Sequence, residues 1–391
     1  MELTDLVSPV SQDMLEDAPG SPSAGVALCL SGGGYRAMLF HLGTLWRLNE
    51  AGYLAKLDWV SSVSGGSITA GVLGAAWSRL EFDDAGVSRR FHSEVTVPIR
   101  RLAGKTIDIG AILMGLLGRG TASDRLAGAY RKHLFRDLTL QDLPADGDGP
   151  RFVINASNLQ SGVLWRFSRP YARDWRVGMI RNPTIDLATA VAASSAFPPF
   201  VSPLILDLDE TLFEPKSGED LQRPPYTTRI HLTDGGVYDN LGLETAWKRH
   251  RVVLVSDGGG ELAPHADPGR DWPRHVLRVL NVIDHQVRSL RKRQLIASFR
   301  LPPGNQDHRL GAYWGIRTDI ADYELPDALP CPHDRTLKLA ETPTRLRRLD
   351  GASQERLINW GYAVCDAAMR KHVDPALPRP AAFPYPDRGI G

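Results

Sequence analysis

The chain lacks two features that would place it in a specialised class: many cysteines and an excess of one charge. It has only three cysteines in 391 residues, and they form neither a CxxC pair nor a spacing typical of metal ligands. Cys29, Cys331 and Cys365 therefore exclude a small disulfide-stapled fold, and their small number favours a reducing, cytosolic compartment. With 46 Lys and Arg against 45 Asp and Glu, the net charge is +1, so the overall charge gives no reason to expect nucleic-acid binding.

The sequence also lacks a long apolar run. No segment approaches the roughly 18 consecutive apolar residues that a membrane-spanning helix needs. Residues 107–117 (IDIGAILMGLL) are strongly apolar and flanked by basic residues, but they are too short to cross a bilayer. The first residues show no basic stretch followed by an apolar run, so we expect no secretory signal.

Short apolar runs bounded by turn residues predict buried strands. They lie at residues 26–30, 57–63, 152–154, 230–232 and 252–255. Continuous runs of this kind are typical of strands that are buried on both faces. Helical patterns lie between several of them, and this alternation predicts an α/β fold with a largely parallel central sheet flanked by helices.

One large domain accounts for most of the chain. Residues 1–24 are polar and contain prolines, which predicts a flexible leader. The domain is expected to cover residues 25–372, with insertions near 100–120 and 202–226. Residues 373–391 hold five prolines and are predicted to form an extended tail.

The most informative segment is a glycine-rich turn, Ser31-Gly32-Gly33-Gly34, between the first predicted strand and a helical pattern. Glycines let the backbone approach a ligand closely, and a helix N-terminus adds free N–H donors and a partial positive charge. Such a turn suits an anion, which can be permanent, as a phosphate, or transient, as the oxyanion of an acyl-transfer intermediate. A plain tight turn is the alternative without a function.

The same turn fits a dinucleotide-binding fingerprint, because Gly32, Gly34 and Ala37 match GxGxxA. That interpretation requires an acidic residue at the end of the second strand. Glu50 falls in the predicted helix instead, and Asp58 comes near the start of the strand.

A serine follows the second predicted strand in the sequence Ser62-Val63-Ser64-Gly65-Gly66. This resembles GxSxG, in which small neighbours permit the sharp turn that exposes a nucleophilic serine. Ser62 stands where the motif has its first glycine. We expect Ser64 to lie on the turn, at the N-terminus of a small-residue helix over residues 67–76.

A serine hydroxyl is a weak nucleophile at neutral pH and needs a base. Asp234 is the best candidate, since it follows a predicted strand and precedes two glycines that leave its carboxylate accessible. Asp257 also precedes two glycines after the next strand and is the competing candidate.

At this point the chain resembles the patatin-like phospholipase family over roughly residues 25–260. The resemblance rests on GGGx[RK] at residues 32–36, GxSxG at 62–66 and DG[GA] at 234–236, in that order and with similar spacing. The small-residue and proline segment at 193–199 (ASSAFPP) also looks like the family's. The resemblance implies a patatin-like three-layer fold and hydrolysis of a lipid carboxylic ester, with phospholipid or lysophospholipid as the expected substrate.

The family implies a Ser–Asp dyad and neither metal nor cofactor. By this resemblance Ser64 is the acyl nucleophile and Asp234 is its base. The oxyanion hole is expected from Gly32, Gly33, Gly34 and Arg36. Support for the elbow and its loops is expected from Ser62, Gly66, Gly235, Gly236 and Asn240.

Three alternatives stay open. The chain could be a nucleotide-binding α/β protein that uses the turn at residues 32–37, or a catalytically silent patatin-like regulatory protein. A histidine-dependent triad is the third, because seven histidines follow Asp234, although no sequence feature marks any of them.

Two segments could meet a membrane surface. Residues 270–300 predict a basic amphipathic helix, with an apolar face formed by Val276, Val279, Ile283, Val287 and Leu290. This helix is either packed on the domain surface or forms a patch that binds anionic lipid headgroups. In the second case we expect the membrane contact at residues 275–300. Residues 107–117 are either a buried helix or a lid or interfacial segment. We therefore expect a cytoplasmic protein, with peripheral membrane contact through one of these segments.

Overall fold

The computed structural model describes residues 22–107 and 121–391. Most of the predicted leader, and all of the apolar stretch 107–117 except Ile107, lie outside the described residues.

A single ten-stranded sheet organises the described residues. Its strands are β1 Ser23–Leu30, β2 Leu57–Ser62, β3 Arg151–Asn158, β4 Leu164–Phe167, β5 Tyr171–Asp174, β6 Gly178–Arg181, β7 Leu204–Asp207, β8 Arg229–Asp234, β9 His250–Asp257 and β10 Leu310–Gly315. The described α-helices are α1 Gly34–Glu50, α2 Gly65–Ala76, α3 Val97–Ala103, α4 Ala122–Tyr130, α5 Leu187–Ser194, α6 Gly236–Asp239, α7 Glu244–Trp247, α8 Trp272–Phe299, α9 His333–Ala340 and α10 Gly351–His372.

Five neighbouring strands form the parallel half of the sheet, in the order β10-β9-β1-β2-β3. The antiparallel strands β4, β5 and β6 extend it beyond β3. Parallel strands bring their carboxyl ends to one edge, which is where open α/β sheets build their sites. Leu30 pairs with Ser62 on one side and with Ser256 on the other, so the segments after β1, β2 and β9 begin next to one another.

Both faces of the parallel half are covered, which gives three layers. Leu28 and Leu30 of β1 join the larger apolar core, to which helices α1, α2 and α10 also contribute. Ala27 and Cys29 point to the other face and join a smaller core with residues of α7 and α8. This double burial explains why β1 reads as a continuous apolar run rather than an alternating one.

Strand β8 meets β2 end to end. Residues 151–154 of β3 pair with β2, residues 156–158 pair with β8, and β4 occupies the opposite edge of β3. Because β2 runs parallel to β3 and β8 runs antiparallel to it, the carboxyl ends of β2 and β8 point towards each other. This joint brings the residues after Ser62 close to Asp234, although 172 positions separate Ser62 from Asp234 in the sequence.

The observed elements extend most of the predicted ones by a few residues. Helix α2 begins at Gly65, and the helix predicted over 270–300 is α8. The insertion at 202–226 contributes β7, which pairs with β8. The proline-rich segment 373–391 packs on the domain, since the Asn359 side chain of α10 donates to the carbonyl oxygens of Tyr385 and Gly389. No described helix is long and apolar enough to cross a membrane.

Candidate active site

Ser64 occupies a strained turn between β2 and α2. Its backbone has φ 50° and ψ −116°, a conformation that a non-glycine residue adopts at a cost of roughly 1–3 kcal/mol. The turn is tied to the end of β1, because the N–H of Gly66 donates to the carbonyl oxygens of Ser31 (3.1 Å) and Val63 (2.8 Å). This geometry places the Ser64 side chain on a tight strand-to-helix turn, as the GxSxG pattern predicts.

Three further serines hold the turn from below. The main-chain N–H of Ser64 donates to Oγ of Ser194 at 3.0 Å. The Ser67 hydroxyl lies 2.9 Å from Oγ of Ser194 and 3.0 Å from Oγ of Ser62. All three side chains are buried, so this small network fixes the strained backbone where water cannot replace the bonds. Ser194 belongs to the predicted 193–199 segment, but its bond to Ser64 joins residues 130 positions apart and was not predicted.

The Ser64 hydroxyl interacts with the Asp234 carboxylate, since it is one of the two groups that act to lower the pKa of Asp234. Oδ1 of Asp234 accepts the N–H of Gly236 at 2.7 Å, and the absence of a side chain at Gly236 allows this close contact. Burial raises the pKa of Asp234 to about 7, against the opposing effects of the Gly236 N–H and the Ser64 hydroxyl. A carboxylate with this pKa can both accept and return a proton near neutral pH.

The glycine turn offers free main-chain donors next to Ser64. Within the described residues, the N–H groups of Gly33, Gly34 and Gly65 donate to no acceptor. The N–H of Gly32, in contrast, donates to the carbonyl oxygen of Asn240 at 3.1 Å. Gly32 was predicted to be an oxyanion donor, and this bond removes it from the available set. Asn240 thereby braces the turn through its main chain.

Two helices begin at this point and direct their N-termini to the same place. Helix α1 starts at Gly34 and α2 at Gly65, and a Cβ on Gly65 would lie 2.3 Å from the carbonyl oxygen of Gly34. Neither helix carries an acidic side chain in its first turn. Free N–H groups and two helix dipoles therefore favour a negative charge between the glycine turn and Ser64.

A family model described as patatin-like phospholipase matches residues 28–247, more than half of the chain. The chain belongs to the patatin-like phospholipase family. A search of curated protein sequences found no match.

Solved structures show the same fold at low sequence identity. Human GIVD cytosolic phospholipase A2 aligns with a TM-score of 0.54 at 13% identity, covering 93% of this chain and 62% of that one. The human enzyme in complex with a methyl γ-linolenyl fluorophosphonate inhibitor and terbium chloride aligns with a TM-score of 0.53 at 16% identity, covering 88% and 58%. This patatin-like chain thus spans about three fifths of the length of the human chains that it matches.

Asp257, the competing carboxylate, is held differently in this patatin-like protein. It accepts the hydroxyl of Tyr313 at 2.8 Å and the N–H of Gly259 at 2.9 Å, and Arg288 lies 4.0 Å away. Burial opposes ionisation, but Arg288 and these two donors hold the pKa of Asp257 below its ordinary value. A carboxylate that stays ionised beside an arginine is suited to holding the glycine loop at 258–260 rather than to exchanging protons.

Arg36 braces the glycine turn. Its Nε donates to the carbonyl oxygen of Gly258 at 3.1 Å, and its Nη1 donates to that of Thr342. Burial lowers the pKa of Arg36 to about 10, which still leaves it charged at neutral pH. These contacts tie Arg36 to two loops and give its charge a fixed position behind the turn.

A buried histidine lies behind the turn and was missed at the sequence level. His41 of α1 contacts the carbonyl oxygen of Ser31 through Nε2 (2.9 Å) and the hydroxyl of Ser256 through Nδ1 (2.8 Å). It lies three residues after Met38 and four before Leu45, on the apolar face of α1, and a histidine on such a face is a sequence signal for a buried polar role. No histidine hydrogen-bonds to Ser64 or Asp234 in the described part of the chain, so the geometry gives no support to a triad.

The acidic residues that a dinucleotide site would need are elsewhere. Asp58 accepts the N–H of Val26 at 2.7 Å near the opposite, amino-terminal end of β1 and β2. Glu50 ends α1 and bonds to the side chains of Trp46 and Tyr362. Neither carboxylate reaches the glycine turn, which disfavours the nucleotide-binding interpretation.

Proposed function

We propose that this protein is a lipid acyl hydrolase that cleaves carboxylic esters, with phospholipid or lysophospholipid as the substrate class. One observation carries the proposal. A strained serine, a buried carboxylate with a pKa of about 7 and unbonded main-chain donors at two helix N-termini converge at one point. Each group matches one requirement of acyl transfer: nucleophile, proton carrier and oxyanion stabiliser.

In the proposed acylation step, Oγ of Ser64 attacks the ester carbonyl carbon and its proton passes to Asp234. The carbonyl π electrons move to oxygen, and the resulting oxyanion accepts hydrogen bonds from the N–H groups of Gly33, Gly34 and Gly65. The tetrahedral intermediate then expels the alcohol, which takes the proton from Asp234 and leaves an acyl group on Ser64.

In the proposed deacylation step, a water molecule enters the position that the alcohol has left. The oxygen of this water attacks the acyl carbon, and Asp234 accepts a proton from the water. Collapse of the second intermediate releases the fatty acid, and the proton returns to Oγ of Ser64. One oxyanion donor contributes roughly 2.7–4 kcal/mol in comparable hydrolases, so the three N–H groups supply a large part of the rate enhancement.

The surface beside the site fits an acyl chain. Phe197, Phe200 and Val237 are each about half exposed. The segment that carries the two phenylalanines runs along the end of β8, because the N–H of Asp234 donates to the carbonyl oxygen of Ala196 at 3.0 Å. An apolar rim next to the nucleophile suits a substrate whose chains leave a bilayer. We therefore propose a cytoplasmic enzyme that acts at a membrane surface and contacts it peripherally through residues 275–300.

The test compares lipid hydrolysis by wild type, Ser64→Ala, Asp234→Asn and Asp257→Asn. Fatty-acid release from phospholipid and lysophospholipid vesicles should fall by about 10⁴-fold or more in the first two variants, because the groups of a nucleophile unit act together. Asp257→Asn is the matched control, since Asp257 also precedes two glycines, and it should retain most activity. Loss in Asp257→Asn with activity kept in Asp234→Asn would overturn the assignment of the base.

A covalent probe separates a silent protein from an enzyme that needs another lipid. The human relative was solved with a fluorophosphonate inhibitor, and the same reagent should label wild type but not Ser64→Ala. A folded wild-type protein that neither reacts with the probe nor releases fatty acid would favour the regulatory alternative.

A further inference from the structure

Helix α8 is almost entirely outside the core. It has 28 residues, of which only Leu295 and Ser298, in its last turns, are buried. Its first residue, Trp272, is 78% exposed. A helix this long normally buries one face against its domain, so the surface of α8 from Trp272 to the region of Leu290 is open to another partner.

The exposed part of α8 carries a continuous apolar stripe. Its members recur at intervals of three or four residues and so lie on one helix face: Trp272, Val276, Val279, Ile283, Val287 and Leu290. Ile283 and Leu290 are each 50% exposed, and Val279 is 44% exposed. Half of the exposed large apolar residues in the described chain belong to this one helix, which marks it as an interaction surface.

Salt bridges attach α8 beside the candidate active site. Arg291 bonds to Glu244 at 2.6 Å and lies 3.5 Å from Asp239, while Arg288 lies near Asp257. The guanidinium of Arg291 also stands over the ring of Tyr238 at 5.7 Å. Since Tyr238 and Asp239 follow Asp234 by four and five residues, these contacts place the Arg288–Arg291 turn of α8 close to the candidate active site.

The charge of α8 is strongly positive. Residues 270–300 contain eight lysines and arginines against two aspartates. Arg278, Lys292, Arg293 and Arg300 pair with no carboxylate in the described residues. A groove of about 420 Å³ at the end of the helix is lined by three of these cations and by apolar side chains. Its lining residues are Lys292, Arg293, Ile296, Ala297, Arg300 and Leu301.

We propose that α8 docks on an anionic bilayer surface, with the stripe in the acyl boundary and the flanking cations on lipid headgroups. An apolar stripe bordered by unpaired cations matches a membrane interface, where both groups find partners at the same depth. A second copy would bring the same positive charge to the contact, and a nucleic acid would leave the stripe in water. This inference rests on the proposed function, because it supplies the surface on which the lipid is met.

The test measures sedimentation of the full chain with vesicles of phosphatidylcholine alone or mixed with phosphatidylglycerol, at low and high salt. Wild type should bind the anionic vesicles and lose affinity as salt rises. The double variant Ile283→Asp, Leu290→Asp should bind about tenfold more weakly or worse, since both side chains leave the acyl boundary and add negative charge. Leu212→Asp is the matched control, because Leu212 is 52% exposed and precedes Phe213, which pairs with Ile180 of β6 at the far end of the sheet. This variant should bind like wild type.

Control measurements distinguish a loss of membrane binding from a loss of folding or of activity. Circular dichroism and thermal unfolding show whether each variant is folded, and Ser64→Ala should bind vesicles as wild type does even though it hydrolyses nothing. Equal binding of the folded double variant and wild type would overturn the proposal. So would wild type that ignores anionic vesicles but forms dimers that the double variant loses, since the stripe would then be a self-association surface.

Discussion

Nε2 of His41 lies 2.9 Å from the carbonyl oxygen of Ser31, the residue before the glycine turn. A carbonyl oxygen only accepts, so Nε2 carries the hydrogen and Nδ1 must accept from the Ser256 hydroxyl at 2.8 Å. Thr44 lies 3.1 Å from that hydroxyl and accepts Nε1–H of Trp314 at 3.1 Å. Burial lowers the pKa of His41 to about 4, so the ring stays neutral at physiological pH. Nε2 then remains the donor to Ser31, and Nδ1 remains the acceptor from Ser256.

His41 is therefore expected to position the glycine turn. His41→Phe keeps an aromatic ring but frees the Ser31 carbonyl, and kcat should fall by about 10–100-fold, less than the loss of a direct oxyanion donor, with KM nearly unchanged. Steady-state kinetics on a soluble ester gives this split. His41→Gln restores an N–H donor of similar reach and should recover part of kcat. Equal kcat for the Phe and Gln variants would mean that the bond to Ser31 does not matter.

The pH dependence of hydrolysis should follow Asp234. Because burial raises its pKa to about 7, the carboxylate is ionised and able to accept the Ser64 proton only above that pH. We expect kcat/KM to rise with pH through a midpoint near 7 and to level off above 8. The rate of labelling by a fluorophosphonate should show the same limb. A flat profile between pH 5 and 8 would show that no carboxylate with this pKa controls the attack.

Asp234 should also lower the stability of the fold at neutral pH. Its folded-state pKa lies above the unfolded value, so its contribution to stability is fully present below about pH 4 and is lost as pH rises through 7. Asp234→Asn resembles the neutral form and can still accept the Gly236 N–H. In urea unfolding it should match wild type at pH 4 and exceed it by a few kcal/mol at pH 8, at about 1.4 kcal/mol per pKa unit. A constant difference across this range would contradict the assignment.

The sequence predicted the parts of the site whose signals are local. A strand followed by glycines, or a serine between small residues, reflects backbone requirements that a few neighbouring residues meet. The commitment of the Gly32 N–H to Asn240 could not be predicted, because it depends on a loop 208 residues away. The bonds of Ser194 to Ser64 and of His41 to Ser256 are of the same kind, because each joins segments that are far apart in the sequence.

Sheet topology had the same limit. The apolar run at 230–232 predicted a buried strand but not its direction, and β8 is antiparallel to β3. Direction is set by the connection through β4–β7, whose strands have four residues each. Such short strands carry too few alternations for a pattern to predict them. Yet the antiparallel direction of β8 places its last residue, Asp234, next to the end of β2. The feature that brings the two candidate groups together was therefore one that the sequence pattern could not predict.

Gly65 controls how closely the elbow approaches the glycine turn. A Cβ at this position would lie 2.3 Å from the carbonyl oxygen and 2.9 Å from the nitrogen of Gly34, both rigid backbone atoms. Gly65→Ala should therefore separate Ser64 from the N–H groups of Gly33 and Gly34 while leaving the Ser64 hydroxyl and Asp234 chemically intact. A displacement of this size is expected to lower kcat by about 100-fold, measured on a soluble ester.

Gly128→Ala is the control for that substitution. Gly128 lies within α4, and no atom of the described residues stands within 4 Å of the position that its Cβ would take. The variant should keep full activity and gain roughly 0.5–1 kcal/mol of stability in urea unfolding, because alanine loses less backbone entropy than glycine in a helix. If Gly65→Ala folded and turned over ester as fast as Gly128→Ala, close contact between the elbow and the glycine turn would not be needed for catalysis. The oxyanion donors would then have to lie elsewhere.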